Sequence, residues 1–367
     1  MKIFESIADI DVAADVWQKL AASDKPVVMY GMGNGADKIT EALGHFGVEV
    51  ADYFASDGFV RGQSFHGKRV LSYAEVCGKY SDFIVVVSFG TRLPEVAANI
   101  ERIADERELY IPDVPVVCEN LCGELFDLGY FRAHRDELSE VCDLLADEQS
   151  RRVFCDIVAY RLTGEPEPLL RHTSEPEEVY RDILGAEDIV SAADLGAYDG
   201  DSIRELAGFA PKLSRVTALE PDARNFRKLT TFAGSAPYHI DAYNAAAWDA
   251  DCELGFTSGG NRNSTLSSTV GLKTGAKLKS VQARRLDSLL REPVDYIKYD
   301  VEGAEYEALR GSQELIARCR PRLLVSLYHR SGDLFRLPLL VRSMGYEKLY
   351  IRRYRSIPAW DLMLIAR

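Results

Sequence analysis

Two stretches end in groups that can handle protons. Asp295-Tyr-Ile-Lys-Tyr-Asp-Val-Glu-Gly-Ala-Glu305 and Arg322-Leu-Leu-Val-Ser-Leu-Tyr-His-Arg330 each read as a short apolar strand that runs into ionisable side chains. Asp300 and Glu302 close the first strand, Glu305 opens the helix after it, and His329 closes the second. If the strands are parallel neighbours, all four converge at one sheet edge. An imidazole near neutral pH accepts an alcohol's proton better than a solvated carboxylate does. This assigns the base to His329 and the orienting or substrate-holding carboxylate to Asp300, with Lys298, Glu302 and Glu305 on the substrate side. The carboxylates could also gather a hard cation such as Mg²⁺. They serve equally well to hydrogen-bond hydroxyls, however, and Lys298 supplies an internal counter-ion, so no metal is expected.

Such a cluster needs a partner that brings the reactive atom. Asp194-Leu-Gly-Ala-Tyr-Asp-Gly-Asp-Ser202 follows an apolar run from Ile189 and precedes a helical pattern over 203–209, which reads as strand, glycine turn, helix. Gly196 and Gly200 allow backbone to approach a ligand without an intervening Cβ. The next strand, Arg215-Val-Thr-Ala-Leu, ends in Glu220 and Pro221, where an acid is placed to accept hydrogen bonds from ribose hydroxyls. The turn lacks the third glycine of the dinucleotide fingerprint. The carboxylate of Asp194 would repel a pyrophosphate, yet suits the cationic amino-acid end of S-adenosyl-L-methionine. Asn244-Ala-Ala-Ala-Trp248 leaves room for a flat ring, with Asn244 and the N–H groups near Ala245 facing adenine or ribose, or else forms a tight turn capped by Asn.

These blocks together resemble the FkbM-type S-adenosylmethionine-dependent methyltransferases. The matching segments are Asp194-x-Gly-Ala-x-x-Gly, Ala218-Leu-Glu-Pro-Asp222, Asn244-Ala-Ala-Ala-Trp248, Arg285-Leu-Asp-Ser-Leu289, Ile297-Lys-x-Asp-x-Glu-Gly-Ala-Glu305 and Leu327-Tyr-His329, in family order over roughly half the chain. The resemblance implies a class I, seven-stranded, Rossmann-like α/β domain that transfers a methyl group, commonly to hydroxyl oxygens of sugars or related metabolites. It places the cofactor against Asp194, Gly196, Ala197, Gly200, Glu220, Pro221, Asn244 and Ala245.

The 367 residues suit two to three domains, and 47% hydrophobic with 28% charged residues is the composition of a globular protein. Residues 1–115 alternate strands and helices around Gly31-Met-Gly-Asn-Gly-Ala36. This predicts a smaller Rossmann-like domain similar to those on some sugar acyltransferases and a subset of FkbM-type proteins. Its turn crowds its glycines, and Asp57 stands where a ribose acid would sit. Two readings stay open for it, a structural module able to carry a homodimer contact, and a nucleotide or nucleotide-sugar pocket. Residues 116–185 read as a helical connector, and 186–367 as the methyltransferase domain, closed by two strands around Pro358. Tyr180 is read as core or as a wall of the cofactor pocket, Ser258–Thr269 as a polar loop suited to a carbohydrate, and Arg352-Arg353-Tyr354-Arg355 as a solvated hairpin loop or an anion clamp.

The net charge of −13 disfavours a nucleic-acid partner, and no run reaches the length of a membrane span. Seven scattered cysteines read as reduced thiols. Acids in the first eleven residues argue against a secretory leader, so a cytoplasmic protein is expected. The leading function is an O-methyltransferase acting on a small-molecule or glycan acceptor. The alternatives are an NAD(P)-dependent oxidoreductase and a non-catalytic nucleotide-sugar-binding protein.

Overall fold

Most of the strands form where the sequence supplies short runs of small or branched apolar residues, and in the computed structural model the central runs, such as Val27–Tyr30, Ile84–Val87, Ser191–Leu195 and Leu362–Ala366, are fully buried. The structure describes residues 4–257, 265–267 and 278–367. The chain forms two compact units. One comprises Met1–Asp143, Glu148–Thr173 and Arg355–Asp361; the other comprises Leu144–Asp147, Ser174–Tyr354 and Leu362–Arg367. The stretch expected as a helical connector is shared out between them.

In the first unit, β1 (Val27–Tyr30), β2 (Val50–Phe54), β3 (Ile84–Val87) and β4 (Leu109–Tyr110) make a parallel sheet in the order β2-β1-β3-β4. Helix α1 (Asn34–His45) buries Ala36, Ile39, Ala42 and Leu43, the spacing of one helical face. Helix α2 (Pro94–Glu106) starts on a proline, whose missing N–H has no partner to lose at that position. Helix α3 (Glu148–Thr163) buries every residue from Val153 to Leu162. The crowded glycines have a packing reason, since a Cβ on Gly35 would stand 2.1 Å from the carbonyl oxygen of Ser88. Asp57 lies exposed in a short turn.

The second unit holds a sheet of β5 (Ser191–Leu195), β6 (Arg215–Leu219), β7 (His239–Tyr243), β8 (Tyr296–Tyr299), β9 (Arg322–Ser326), β10 (Leu349–Arg353) and β11 (Leu362–Ala366). Its order is β10-β11-β9-β8-β5-β6-β7. Six strands run in one direction, and β11 alone runs against them, pairing antiparallel with both β9 and β10. The chain winds outward from β5 in one direction through β6 and β7, and from β8 in the other. The β5–β8 gap is therefore a switch point, where the crevice beyond the strand ends receives ligands. Helices α4 (Asp201–Phe209), α5 (Ala223–Ala233), α6 (Glu305–Arg310) and α7 (Asp333–Ser343) accompany this sheet.

Tyr180 belongs to the core of this unit, stacked on Phe209 with ring centres 4.9 Å apart. The basic run corrects its sequence reading. Arg352 and Arg353 are buried in β10, and Arg352 is held by Asp147 and Glu178, so the guanidinium is neither a solvated loop group nor a clamp. The polar loop expected at Ser258–Thr269 lies outside the described residues except for a short strand at Thr265–Ser267. No described helix is long and apolar enough to cross a membrane.

Candidate active site

Parallel pairing of β5 with β8 puts Asp194 directly beside Lys298, and both side chains leave the same face of the sheet. The Lys298 Nζ stands 3.8 Å from Asp194 Oδ1 and 3.2 Å from Asp300 Oδ2, so one buried cation bridges the two strand ends. Burial works against its charge, yet Asp300 and Asp194 hold its pKa above the usual lysine range. Burial likewise opposes ionisation of Asp300, but Lys298 and then His329 keep that carboxyl well below the usual range. Asp194, buried and farther from Lys298, is pushed up by burial. Its Oδ2 accepts a 2.5 Å hydrogen bond from the Ser202 hydroxyl. Its Oδ1 is buried without a hydrogen-bond partner among the described residues.

The glycine turn between β5 and α4 is built for close approach. Gly196 has φ +87°, and a Cβ there would lie 1.9 Å from the Asp300 carbonyl oxygen. Gly200 has φ +89° and precedes α4. The N–H groups of Gly196 and Ala197 both donate to the Leu219 carbonyl at 2.9 Å, which ties the turn to β6. Their contribution to a ligand is therefore shape, because their donors are spent on the fold.

Glu220, at the end of β6, is aimed by two backbone donors, Tyr198 N–H at 2.9 Å and Asp222 N–H at 2.8 Å. Burial raises its carboxyl to about 7 against those two hydrogen bonds. Asn244 donates its side-chain amide to the carbonyls of Glu220 and Pro221, 2.8 and 3.1 Å away. It braces the turn that presents Glu220. The Ala245 N–H donates to the Tyr243 carbonyl, so this donor does not face outward as the sequence reading had it.

Beyond β8 the chain turns through two left-handed residues, Glu302 (φ +54°) and Gly303 (φ +91°). Such a conformation at glutamate costs on the order of 1 kcal/mol or more and persists because its surroundings fix it. Glu305 does the fixing, accepting from Val301 N–H at 2.8 Å and from Gly303 N–H. The same Oε1 lies 3.0 Å from His329 Nδ1, while His329 Nε2 lies 3.4 Å from Glu302 and 3.7 Å from Asp300. His329 is wholly buried. Burial alone would discharge it, but Glu305 and then Glu302 hold its pKa well above the usual imidazole range. Glu302 is pushed up by burial, opposed by His329.

The expected cluster of Asp300, Glu302, Glu305 and His329 is thus one assembly, with Lys298 joining it to Asp194. Three contributors escaped the sequence reading. Ser202 is signalled only by its place in the glycine turn. The Tyr328 hydroxyl, which donates to Asp300 Oδ1 at 3.0 Å, stands beside His329 in a block already singled out. Asp333, which caps the Arg330 N–H, sits at the start of α7 and carries no signal of its own.

Residues 194–348 match the family model of the methyltransferase FkbM domain. Over that stretch, somewhat under half of its length, the chain is similar to the FkbM methyltransferase domain. It is a methyltransferase, and its methyl donor is S-adenosyl-L-methionine. Among solved structures, methyltransferase FkbM from Methylobacillus flagellatus KT is 19% identical, with a TM-score of 0.70 over 94% of this chain and 90% of that one, which shows a shared fold. An rRNA methylase from Streptococcus thermophilus is 14% identical, over 53% of this chain and 96% of that one, at a TM-score of 0.34. A precorrin-6y C5,15-methyltransferase from Geobacter metallireducens GS-15 is 12% identical, over 52% and 85%, at 0.32, and these two add nothing to the argument. No curated protein matches the sequence.

The site of the FkbM domain fits the donor. Asp194 offers a buried carboxylate oxygen that makes no hydrogen bond among the described residues to an ammonium group, and Glu220 offers an oriented carboxylate to a vicinal diol. Gly196 keeps side-chain bulk out of the β5–β8 crevice. Carboxylates outnumber cations around that crevice, as a cationic donor requires.

Proposed function

We propose that the chain transfers the methyl group of S-adenosyl-L-methionine to a hydroxyl oxygen of a sugar, glycan precursor or related small metabolite. The observation that carries this reading is the line of groups along one sheet edge. Glu220 and Asp194 stand on the donor's side of the switch point, and Asp300, Glu302 and His329 stand next to them at the ends of β8 and β9. When bound, the donor supplies an electrophilic methyl on a sulfonium.

The chain's own residues do the rest. Glu220 accepts from the ribose hydroxyls and Asp194 holds the amino-acid end. Asp300, kept ionised by Lys298, accepts a hydrogen bond from the acceptor and turns the hydroxyl oxygen toward the methyl carbon. Alignment of this kind is the larger part of catalysis for a displacement that needs only one proton removed. That proton passes to the carboxylate–imidazole face made by Glu302 and His329. The imidazole cannot act alone as the neutral base anticipated from its type, because Glu305 and Glu302 hold it charged.

Calorimetry with S-adenosylhomocysteine, NAD and UDP-sugars discriminates the reading from its alternatives, with S-adenosylhomocysteine alone expected to bind this site. A panel of sugars and polyols with radiolabelled donor then finds the acceptor class. Binding of NAD in place of S-adenosylhomocysteine would overturn the assignment. We assign the first unit a structural role that can include a homodimer contact, which light scattering of the intact protein tests.

A further inference from the structure

The buried cluster at the ends of β8 and β9 holds more ligating atoms than its hydrogen bonds use. One ligand atom each from Asp300, Glu305 and His329 lie within 4.8 Å of one another. Ligands around a cation bound at its usual distances stand about 3 to 4.5 Å apart. The ring nitrogens of the fully buried His329 meet only carboxylates, Glu305 at 3.0 Å and Glu302 at 3.4 Å, in contacts too poorly aligned to be hydrogen bonds, and Oε2 of the equally buried Glu305 makes no hydrogen bond among the described residues. Native structures seldom leave such atoms without a partner. The internal cation does not reach them, because Lys298 lies against the other oxygen of Asp300, Oδ2. The Tyr328 hydroxyl steadies Oδ1, which retains acceptor capacity and lies 3.7 Å from His329 Nε2. The Asp300 side chain is 29% exposed, so the cluster is open on the side where an acceptor would enter.

We infer that Asp300, Glu305 and His329 bind one divalent transition-metal cation. One imidazole, which gives up a ring proton when the cation binds, with two carboxylates suits Mn²⁺, Fe²⁺ or Zn²⁺ better than Mg²⁺, which prefers oxygen ligands alone. In the methyl-transfer reading, on which this role rests, the cation takes two neighbouring oxygens of a diol acceptor and lowers the pKa of the hydroxyl to be methylated. The O–H proton leaves to Glu302, the oxygen forms its bond to the methyl carbon, and the carbon–sulfur bond breaks to release neutral S-adenosylhomocysteine.

The full-length protein, stripped with a chelator and titrated with Mn²⁺ alone, should bind one equivalent, read by calorimetry and by loss of the free-ion paramagnetic resonance signal. Asp300→Asn and His329→Gln should each weaken Mn²⁺ at least about tenfold. Each variant is checked for an unchanged circular dichroism spectrum and retained S-adenosylhomocysteine binding. Asp300 is the more exposed position, so its variant keeps the test decisive if the His329 variant fails to fold. A parent protein that binds no Mn²⁺, or folded Asp300→Asn that binds it as the parent does, overturns the site. In that event retained S-adenosylhomocysteine binding leaves the methyl-transfer reading standing. Mn²⁺ bound as expected with no S-adenosylhomocysteine affinity would instead keep the site and remove the role given to it.

Discussion

A carboxylate raised to about 7 beside a ligand whose hydroxyls donate to it makes Glu220 the residue most sensitive to pH. The ordinary glutamate value is 4.5, so folding favours its neutral form. The stability this gives is full below about 4.5 and is lost as pH rises through about 7, on the order of 3 kcal/mol at most. Donor binding runs the other way, because ribose hydroxyls favour the ionised carboxylate. S-adenosylhomocysteine affinity should therefore rise about tenfold between pH 6 and 8, the change in ionised fraction of a group titrating near 7. Calorimetry across that range checks it, and a Glu220→Gln protein should show a flat profile. At pH 8, Glu220→Ala should lose roughly 1.5–3 kcal/mol of binding, the worth of a charge-assisted hydrogen-bond pair. His329→Asn should keep donor affinity and slow turnover by roughly 10²–10⁴-fold per S-adenosylhomocysteine-binding site, whether the imidazole shares a proton or holds a cation. Turnover at the parental rate would remove His329 from the chemistry.

The elements position these residues through two turns of opposite legibility. The glycine turn after β5 was readable, because Gly196 and Gly200 announce backbone conformations that other residues resist, and an apolar run before them announces a strand. The turn after β8 was half readable. Asp300 and His329 could be placed at strand ends from residue type alone, whereas a left-handed Glu302 held by Glu305 depends on hydrogen bonds to Val301 and Gly303 that no spacing rule reveals. Asn244 and Ala245 turn their donors to backbone carbonyls, Glu220 and Tyr243 respectively, which no spacing rule anticipates. Arg352 misled for a general reason. Basic runs are usually solvated, and only the partners Asp147 and Glu178, distant in sequence, make burial tolerable. The first turn gives a sharp test. Gly196→Ala combines a positive φ with a Cβ driven into the Asp300 carbonyl and should separate β5 from β8 at a cost of about 2–5 kcal/mol, lowering the urea midpoint and donor affinity together. Gly208→Ala in α4, where a Cβ meets nothing within 4 Å, should instead stabilise by about 0.5–1 kcal/mol.

For the molecule as a whole, the sequence reading cut the chain into consecutive pieces, and the chain does not divide that way. It passes from one unit to the other at 143–144, 147–148, 173–174, 354–355 and 361–362. The return of Arg355–Asp361 to the first unit interrupts the hairpin of β10 and β11, a connection that pattern reading sees only as a loop with a proline. No single truncation can therefore isolate either core. A fragment starting near residue 119 would keep α3, whose apolar faces are buried in the intact chain, while losing the sheet of the first unit. A substitution in place is the cleaner probe of whether the first unit takes part in donor binding. Every residue assigned to the donor and acceptor lies in the second unit. Gly35→Val sets a branched side chain against the Ser88 carbonyl, where even a Cβ would stand at 2.1 Å, and should destabilise the first unit by about 1–3 kcal/mol. Hydrogen exchange should then rise in β1, β3 and α1 and stay unchanged in β5 and β8. If donor binding belongs to the second unit alone, S-adenosylhomocysteine affinity in this variant should remain within about twofold of the parent, less than 0.5 kcal/mol. A tenfold loss with β5 and β8 still protected would mean that the N-terminal glycine turn contributes to the donor site after all.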